Sequence, residues 1–134
     1  MSEYLKPLPI PSPESQPFWD AAREHRLSVQ QCRECGESWF PPSTLCLHCG
    51  SRDYHWFDAS GRGVVHSFVI YHRLYHEGWE GEVPYVVALV ELDEGPRLYA
   101  NLVEIEVDEV ACDMKVSVVF DDVTETCTIP KFRP

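Results

Sequence analysis

Cys32-Arg33-Glu34-Cys35-Gly36 and Cys46-Leu47-His48-Cys49-Gly50 are two copies of one short pattern, C-x2-C followed by glycine. Two intervening residues fold into a tight turn that aims both sulfurs at one point. The glycine supplies the positive φ that closes the turn without a Cβ clash. The ten residues 36–45 separate the copies, with Pro41-Pro42 as a stiff turn between them. Four thiolates brought together this way form a closed tetrahedral metal site. The other readings are two disulfides or a redox-active pair. Disulfides need an oxidising compartment, and residues 1–15 have neither the basic head nor the apolar core of a secretory signal. A redox C-x2-C opens a helix in an α/β pattern, which this region lacks. The spacing therefore predicts one structural zinc per chain on Cys32, Cys35, Cys46 and Cys49, with iron as the other ion suited to the same cage. His48, between the second pair, is surplus once four sulfurs satisfy the ion.

Towards the N-terminus, five of the eleven prolines fall in the first seventeen residues (Pro7, Pro9, Pro11, Pro13 and Pro17). Alternating proline favours an extended arm without internal hydrogen bonds, stable only when it lies along its own domain or a partner. Ser15 reads as a helix N-cap with Pro17 in the first turn. The helix that follows, over residues 18–24, gathers Phe18, Trp19, Ala21 and Ala22 on one side. It is too short to be stable alone and must dock. Residues 27–57 are polar and aromatic, with no long regular element.

Towards the C-terminus the texture changes. Residues 64–72, 85–92, 98–105 and 116–120 read as strands, being rich in β-branched and aromatic side chains. Residues 124–129 are a possible fifth, before a tail over 130–134. Asp93-Glu94-Gly95-Pro96 marks a tight turn. Strands joined by connections too short for crossover helices indicate an antiparallel barrel or sandwich, and five is the strand count of a small OB-type barrel. The expected organisation is mainly β: a proline arm and short helix (1–26), a four-cysteine zinc ribbon (27–60) and a barrel (61–134). The boundary falls near Ala59-Ser60-Gly61-Arg62-Gly63.

The balance of 11 basic against 22 acidic side chains gives 134 residues a formal charge of -11. Residues 1–60 carry 5 basic and 8 acidic groups, and residues 61–134 carry 6 and 14, so the barrel half is the more acidic. Such a chain repels phosphate backbones. A hydrophobic fraction of 44% excludes global disorder. No apolar run approaches the ~18 residues of a membrane span. There is no G-x-S-x-G, phosphate-binding glycine loop or H-E-x-x-H. Cys112 and Cys127 read as buried free thiols behaving as small hydrophobes. His66 and His72 alternate onto one strand face with His76 in the loop beyond, a weak pattern for a second metal or an acid–base pair. The loop over 71–81 is richer, because Tyr71, His72, Tyr75 and Trp79 sit there with Gly78 and Gly81 as hinges. It either covers a ligand or partner or folds onto its own barrel.

The order of these features resembles a known family. An F-W helix, L-S-V-Q-Q-C-R-E-C-G, F-P-P, C-x-x-C-G-S, S-G-R-G-V-V-H-S, P-Y-V-V-A-L-V-E-L-D-E-G-P-R-L and a closing P-K-F-R-P follow one another from Phe18 to Pro134. Together they are similar to the zinc-ribbon/OB-fold family long catalogued as a domain of unknown function and found beside thiolase genes. The resemblance implies a rubredoxin-like zinc ribbon, then an OB barrel, with Cys32, Cys35, Cys46 and Cys49 as ligands and Gly61 and Gly63 at the ribbon-to-barrel hinge. It also implies a non-catalytic accessory subunit of a thiolase-superfamily enzyme in acyl-CoA metabolism (fatty acid, sterol or aromatic). The small protein helps assemble the acyl-CoA site, and the partner carries the catalytic residues. In that setting Tyr71, His72, Tyr75 and Trp79 are candidate partner or acyl-CoA contacts. The family usually has glycine where this chain has Asp113, which puts one turn in question.

Two alternatives stand beside this expectation. One is a single-stranded nucleic-acid-binding OB protein, which the scattered cations disfavour. The other is a free-standing acyl-CoA-binding protein or small enzyme using Cys127 or the histidines. The expected setting is cytoplasmic, in a hetero-oligomer, without nucleic acid or a membrane span. With four thiolates on one divalent ion the charge becomes about -13, so the charged end of CoA is expected to sit on the partner.

Overall fold

The computed structural model describes residues 4–134. The first three residues of the expected arm lie outside them. Helix α1 (Gln16–Arg23) starts at Ser15, with a proline in its first turn. Ser15 occupies the cap position but does not cap, because its hydroxyl is committed backwards. It accepts from the Ser12 N–H at 2.9 Å and donates to the Ser12 carbonyl at 3.2 Å. The helix ends where His25 turns left-handed, at φ 60°. The His25 ring lies parallel to Phe120 at 5.2 Å, and its Nε2 sits 3.0 Å from an oxygen of Asp122. Those contacts tie the helix end to the barrel.

Three short strands follow: β1 (Ser28–Cys32), β2 (Ser38–Trp39) and β3 (Tyr54–Asp58). They form an antiparallel sheet in the order β2-β1-β3. Gln30 is 1% exposed at its centre and satisfied by Ser43, whose carbonyl and N–H both bond to its amide. A buried amide paired on both sides carries little desolvation penalty and fixes the inter-knuckle segment on the sheet.

The remaining strands are β4 (Arg62–Tyr71), β5 (Tyr85–Leu92), β6 (Arg97–Leu102), β7 (Lys115–Asp122) and β8 (Thr128–Arg133). They close a barrel in the order β4-β5-β6-β8-β7. The strict alternation of β5 sends Val86, Ala88, Val90 and Leu92 inward. Phe18, Leu27 and Val29 join the same core as Val65, Leu102, Val116 and Phe132, so helix, ribbon and barrel share apolar packing. The Gly61–Gly63 link between them is tight. Gly61 has φ +80°, and a Cβ there would lie 2.5 Å from Val118 Cγ1, while one at Gly63 would strike the backbone of Glu91.

Four sequence expectations need correction. The strand expected at 124–129 with a tail behind it is displaced: 123–127 is the hairpin loop, and the tail itself is β8. Its Phe132 is 0% exposed. A strand paired along only one edge tolerates proline, and β8 meets β6 at the single pair Leu102↔Phe132. That contact is parallel, so the barrel is antiparallel at every pairing but one. It follows from β8 folding back on β7 and landing beside β6. The strand expected to run to Ile105 stops at Leu102, because Glu104 turns to φ 58°. Finally, β4 bulges between Val65 and Ser67, which breaks the alternation that aligned His66 with His72.

Asp113 adopts φ 68° and donates its N–H to the Val65 carbonyl at 2.7 Å. Aspartate tolerates this region at some cost, and glycine does so freely. Asp113→Gly is therefore expected to stabilise the chain by about 0.5–1 kcal/mol. A thermal midpoint that is lowered would show the side chain has a role the backbone does not reveal.

Candidate functional site

The two knuckles are near-replicas. Gly36 N–H bonds to the Cys32 carbonyl at 3.1 Å, and Gly50 N–H to that of Cys46 at 3.0 Å. The two glycines have φ of 79° and 80°. Within each turn the first sulfur receives two backbone N–H groups. Cys32 Sγ accepts from Glu34 and Cys35 at 3.4 Å each, and Cys46 Sγ from His48 at 3.3 Å and Cys49 at 3.4 Å. The Cys35 N–H is the largest influence holding the Cys32 thiol down at about 6. Burial works against the Cys46 thiolate, yet the Cys49 and His48 N–H groups still lower its pKa. Both turns are thus arranged to keep a sulfur anionic.

The knuckles meet face to face, with Cys32 and Cys49 sulfurs 3.6 Å apart and Cys35 and Cys46 sulfurs also 3.6 Å apart. All four sulfurs lie within 4.8 Å of one another. A disulfide needs about 2.05 Å. A tetrahedral cage with metal–sulfur bonds of about 2.3 Å has edges near 3.8 Å. The four cysteines are clustered for metal binding, and a tetrahedral soft-donor ion fits the set. It is the one such cluster of histidine, cysteine or carboxylate groups among the described residues. His48 turns away, with Nε2 at 3.3 Å from the Ser38 carbonyl.

The aromatic loop folds onto its own barrel. The Tyr85 ring lies between Tyr71, 5.1 Å away at 17°, and Trp79, 5.7 Å away at 22°. Tyr75 meets Tyr71 edge-on at 6.0 Å, and His76 meets Trp79 edge-on at 5.6 Å. His76 Nδ1 accepts the Gly78 N–H at 2.9 Å and so starts the short 3-10 turn that carries Trp79. The structure therefore brings Tyr71, Tyr75 and Trp79 together and leaves His72 exposed outside these ring contacts. Tyr85, the centre of the stack, was not among the residues singled out from sequence. Its signal was positional, since it opens β5 directly opposite Tyr71, the last residue of β4.

The proline arm lies along this same end. Lys6 grips both oxygens of Glu82 at 2.8 Å and sits 5.3 Å above the Trp79 ring. Gly78 is not a hinge: a Cβ there would lie 2.9 Å from the backbone of Leu5 and Lys6, so glycine is what admits the arm. Arm and barrel enclose a cleft of about 410 Å³ walled by Pro7, Leu8, Trp79, Asn101, Ile129 and Lys131. The reading of Cys112 and Cys127 as buried thiols is corrected in part. Cys112 is exposed in a turn, whereas Cys127 is half-buried in the β7–β8 loop and burial raises its pKa. His66 and His72 are both exposed and are not gathered with His76 into a metal-ligand cluster.

Residues 19–55 match the rubredoxin-like zinc ribbon domain of ChsH2, and residues 56–121 its C-terminal OB-fold domain. A DUF35 domain-containing scaffold protein of Pyrococcus furiosus is 38% identical over 109 residues, covering 81% of this chain and 79% of that protein. The chain belongs to the DUF35 family. A chain of the solved Ltp2-ChsH2(DUF35) aldolase superposes on this DUF35 protein with a TM-score of 0.86 at 39% identity, covering 94% of one and 98% of the other. A probable enoyl-CoA hydratase alpha subunit of Thermomonospora curvata is 39% identical over 130 residues. The DUF35 chain spans 40% of the length of that relative. No described helix is long and apolar enough to cross a membrane.

Proposed function

We propose that this chain is a non-catalytic accessory subunit of a thiolase-superfamily enzyme in acyl-CoA metabolism, cytoplasmic and assembled with that enzyme as a hetero-oligomer. The observation that carries the reading is the near end-to-end match, in sequence and shape, to a chain of the Ltp2-ChsH2(DUF35) aldolase. The relatives named as a DUF35 domain-containing scaffold protein and as a probable enoyl-CoA hydratase alpha subunit point the same way. In this reading Cys32, Cys35, Cys46 and Cys49 hold one zinc, whose closed sulfur cage stiffens the ribbon (27–60) beside the barrel (61–134). Within the arm-and-helix unit (1–26), Leu5 and Lys6 brace the aromatic loop, and Tyr71, His72, Tyr75 and Trp79 form the partner or acyl-CoA contact. Tyr75, 70% exposed, is the loop aromatic best placed to reach out.

The test is reconstitution. The purified chain alone is expected to show no thiolase or aldolase turnover. Co-expression with a thiolase-superfamily enzyme from the same genome is expected to yield a co-purifying complex whose acyl-CoA turnover exceeds that of the enzyme alone. Full turnover by the isolated chain, or no association with any such enzyme, defeats the proposal.

A further inference from the structure

The barrel carries a second surface, below the aromatic loop, that the loop does not cover. On the outside of β4, β5 and β6 the register sets Ser67, Leu89 and Tyr99 in one row and Val69, Val87 and Asn101 in the next. Tyr99 is 75% exposed and Val69 53% exposed. The Tyr71–Tyr85 pair closes one end of this face. The ion pair of Arg97 with Glu91, at 3.1 Å, closes the other. A β-branched and aromatic sheet face of this kind, open at its centre and polar at its rim, has the make-up of a protein interface core.

Charge decides among occupants. Of the cations near the face, Arg97 pairs with Glu91, Lys131 with Asp121 at 2.6 Å and Lys6 with Glu82 at 2.8 Å, which leaves Arg73, over the Tyr75 ring at 5.5 Å, as a lone cation rather than part of a row. A nucleic-acid strand or an anionic membrane thus finds no free cation row at its edge. A second copy would bring another -11 chain against this one. What complements an apolar centre on a strongly acidic body is a protein with an apolar patch set in a neutral-to-basic surface. We infer that the outer face of β4–β5–β6, centred on Tyr99 and Val69, is the docking surface for the thiolase-superfamily partner. This rests on the accessory-subunit reading and adds to it a defined surface distinct from the loop.

The test uses the full chain and the enzyme that co-purifies in the reconstitution. Tyr99→Glu and Val69→Lys introduce opposite charges at exposed positions, and an unchanged thermal midpoint verifies that each variant is folded. Both are expected to weaken binding about 30-fold or more, because either charge must be desolvated at the centre of the contact. Unchanged affinity in both folded variants overturns this surface and leaves the accessory reading standing. Failure of the wild-type chain to bind any such enzyme overturns that reading, and the surface with it. A wild-type dimer in sedimentation that Tyr99→Glu dissolves, or oligonucleotide binding that it abolishes, assigns the face to another occupant and overturns the inference.

Discussion

Cys46→Ser is expected to release the metal and unfold the knuckle end of the ribbon. Cys46 is 3% exposed and stands with Cys32 and Trp39 in a small cluster of its own, with Tyr54 packed against it. The sheet it supports has strands of only five, two and five residues. Val29, Trp56 and Phe57 pack on the barrel core, so what the metal holds is the knuckle end of the sheet, where this small cluster is too little apolar surface to order the two turns unaided. In isolated zinc-finger peptides a structural zinc contributes about 10–16 kcal/mol of apparent folding free energy. Whole domains are stable by only about 5–15 kcal/mol. Loss of one ligand of four is therefore decisive locally. Elemental analysis should fall from one metal per chain to near none. Near-ultraviolet dichroism from Trp39 should collapse, and amide protection at the Cys32 end of β1 should vanish while β5 retains much of its own. Full metal content with an unchanged melt would defeat the claim that these sulfurs hold a structural ion. If the wild-type metal proves to be iron rather than zinc, the same losses are expected, since the cage and its role are unchanged.

Phe132→Ala should be the costliest change in the barrel. Phe132 is 0% exposed and two residues from the C-terminus. Its backbone carbonyl accepts the Val103 N–H at 2.8 Å, and it pairs with Val118 on one side and Leu102 on the other. It is thus the stitch that closes the barrel between β7 and β6. Removing a fully buried phenyl ring costs about 3–5 kcal/mol. For a chain of this length that lowers the melting temperature by about 10–20 °C. Arg133→Ala, one residue on, should move stability by no more than about 0.5 kcal/mol, since its bridge to Glu104 is half-exposed. Equal effects of the two changes would show that the C-terminus is a tail after all.

The metal site was legible because its geometry is local. Each C-x2-C-G turn closes through bonds within five residues, so spacing alone implies where the sulfurs point. The strands of the barrel were legible for a similar reason, since β-branched runs bounded by turn residues mark them one at a time. The aromatic loop was half legible. Tyr71, Tyr75 and Trp79 stood out by composition, but that they converge on Tyr85 depends on a cross-strand register that local sequence does not display. The C-terminal strand was misplaced because Pro130 reads as a strand breaker until it is known that β8 meets β6 only at Phe132, with no ladder pair to β6 at Pro130.

Sequence by itself determined the four-sulfur cage, the mainly-β composition, the acidity that disfavours nucleic acid, and the family. Each depends on short-range spacing or on summed composition. Only the tertiary structure decided where the proline arm lies, which glycines are close approaches rather than hinges, how the barrel closes, and which outer face is left open. Those depend on contacts between residues far apart in the chain. Lys6 with Glu82, Gly63 with Glu91 and Phe132 with Leu102 become neighbours only once the barrel has formed.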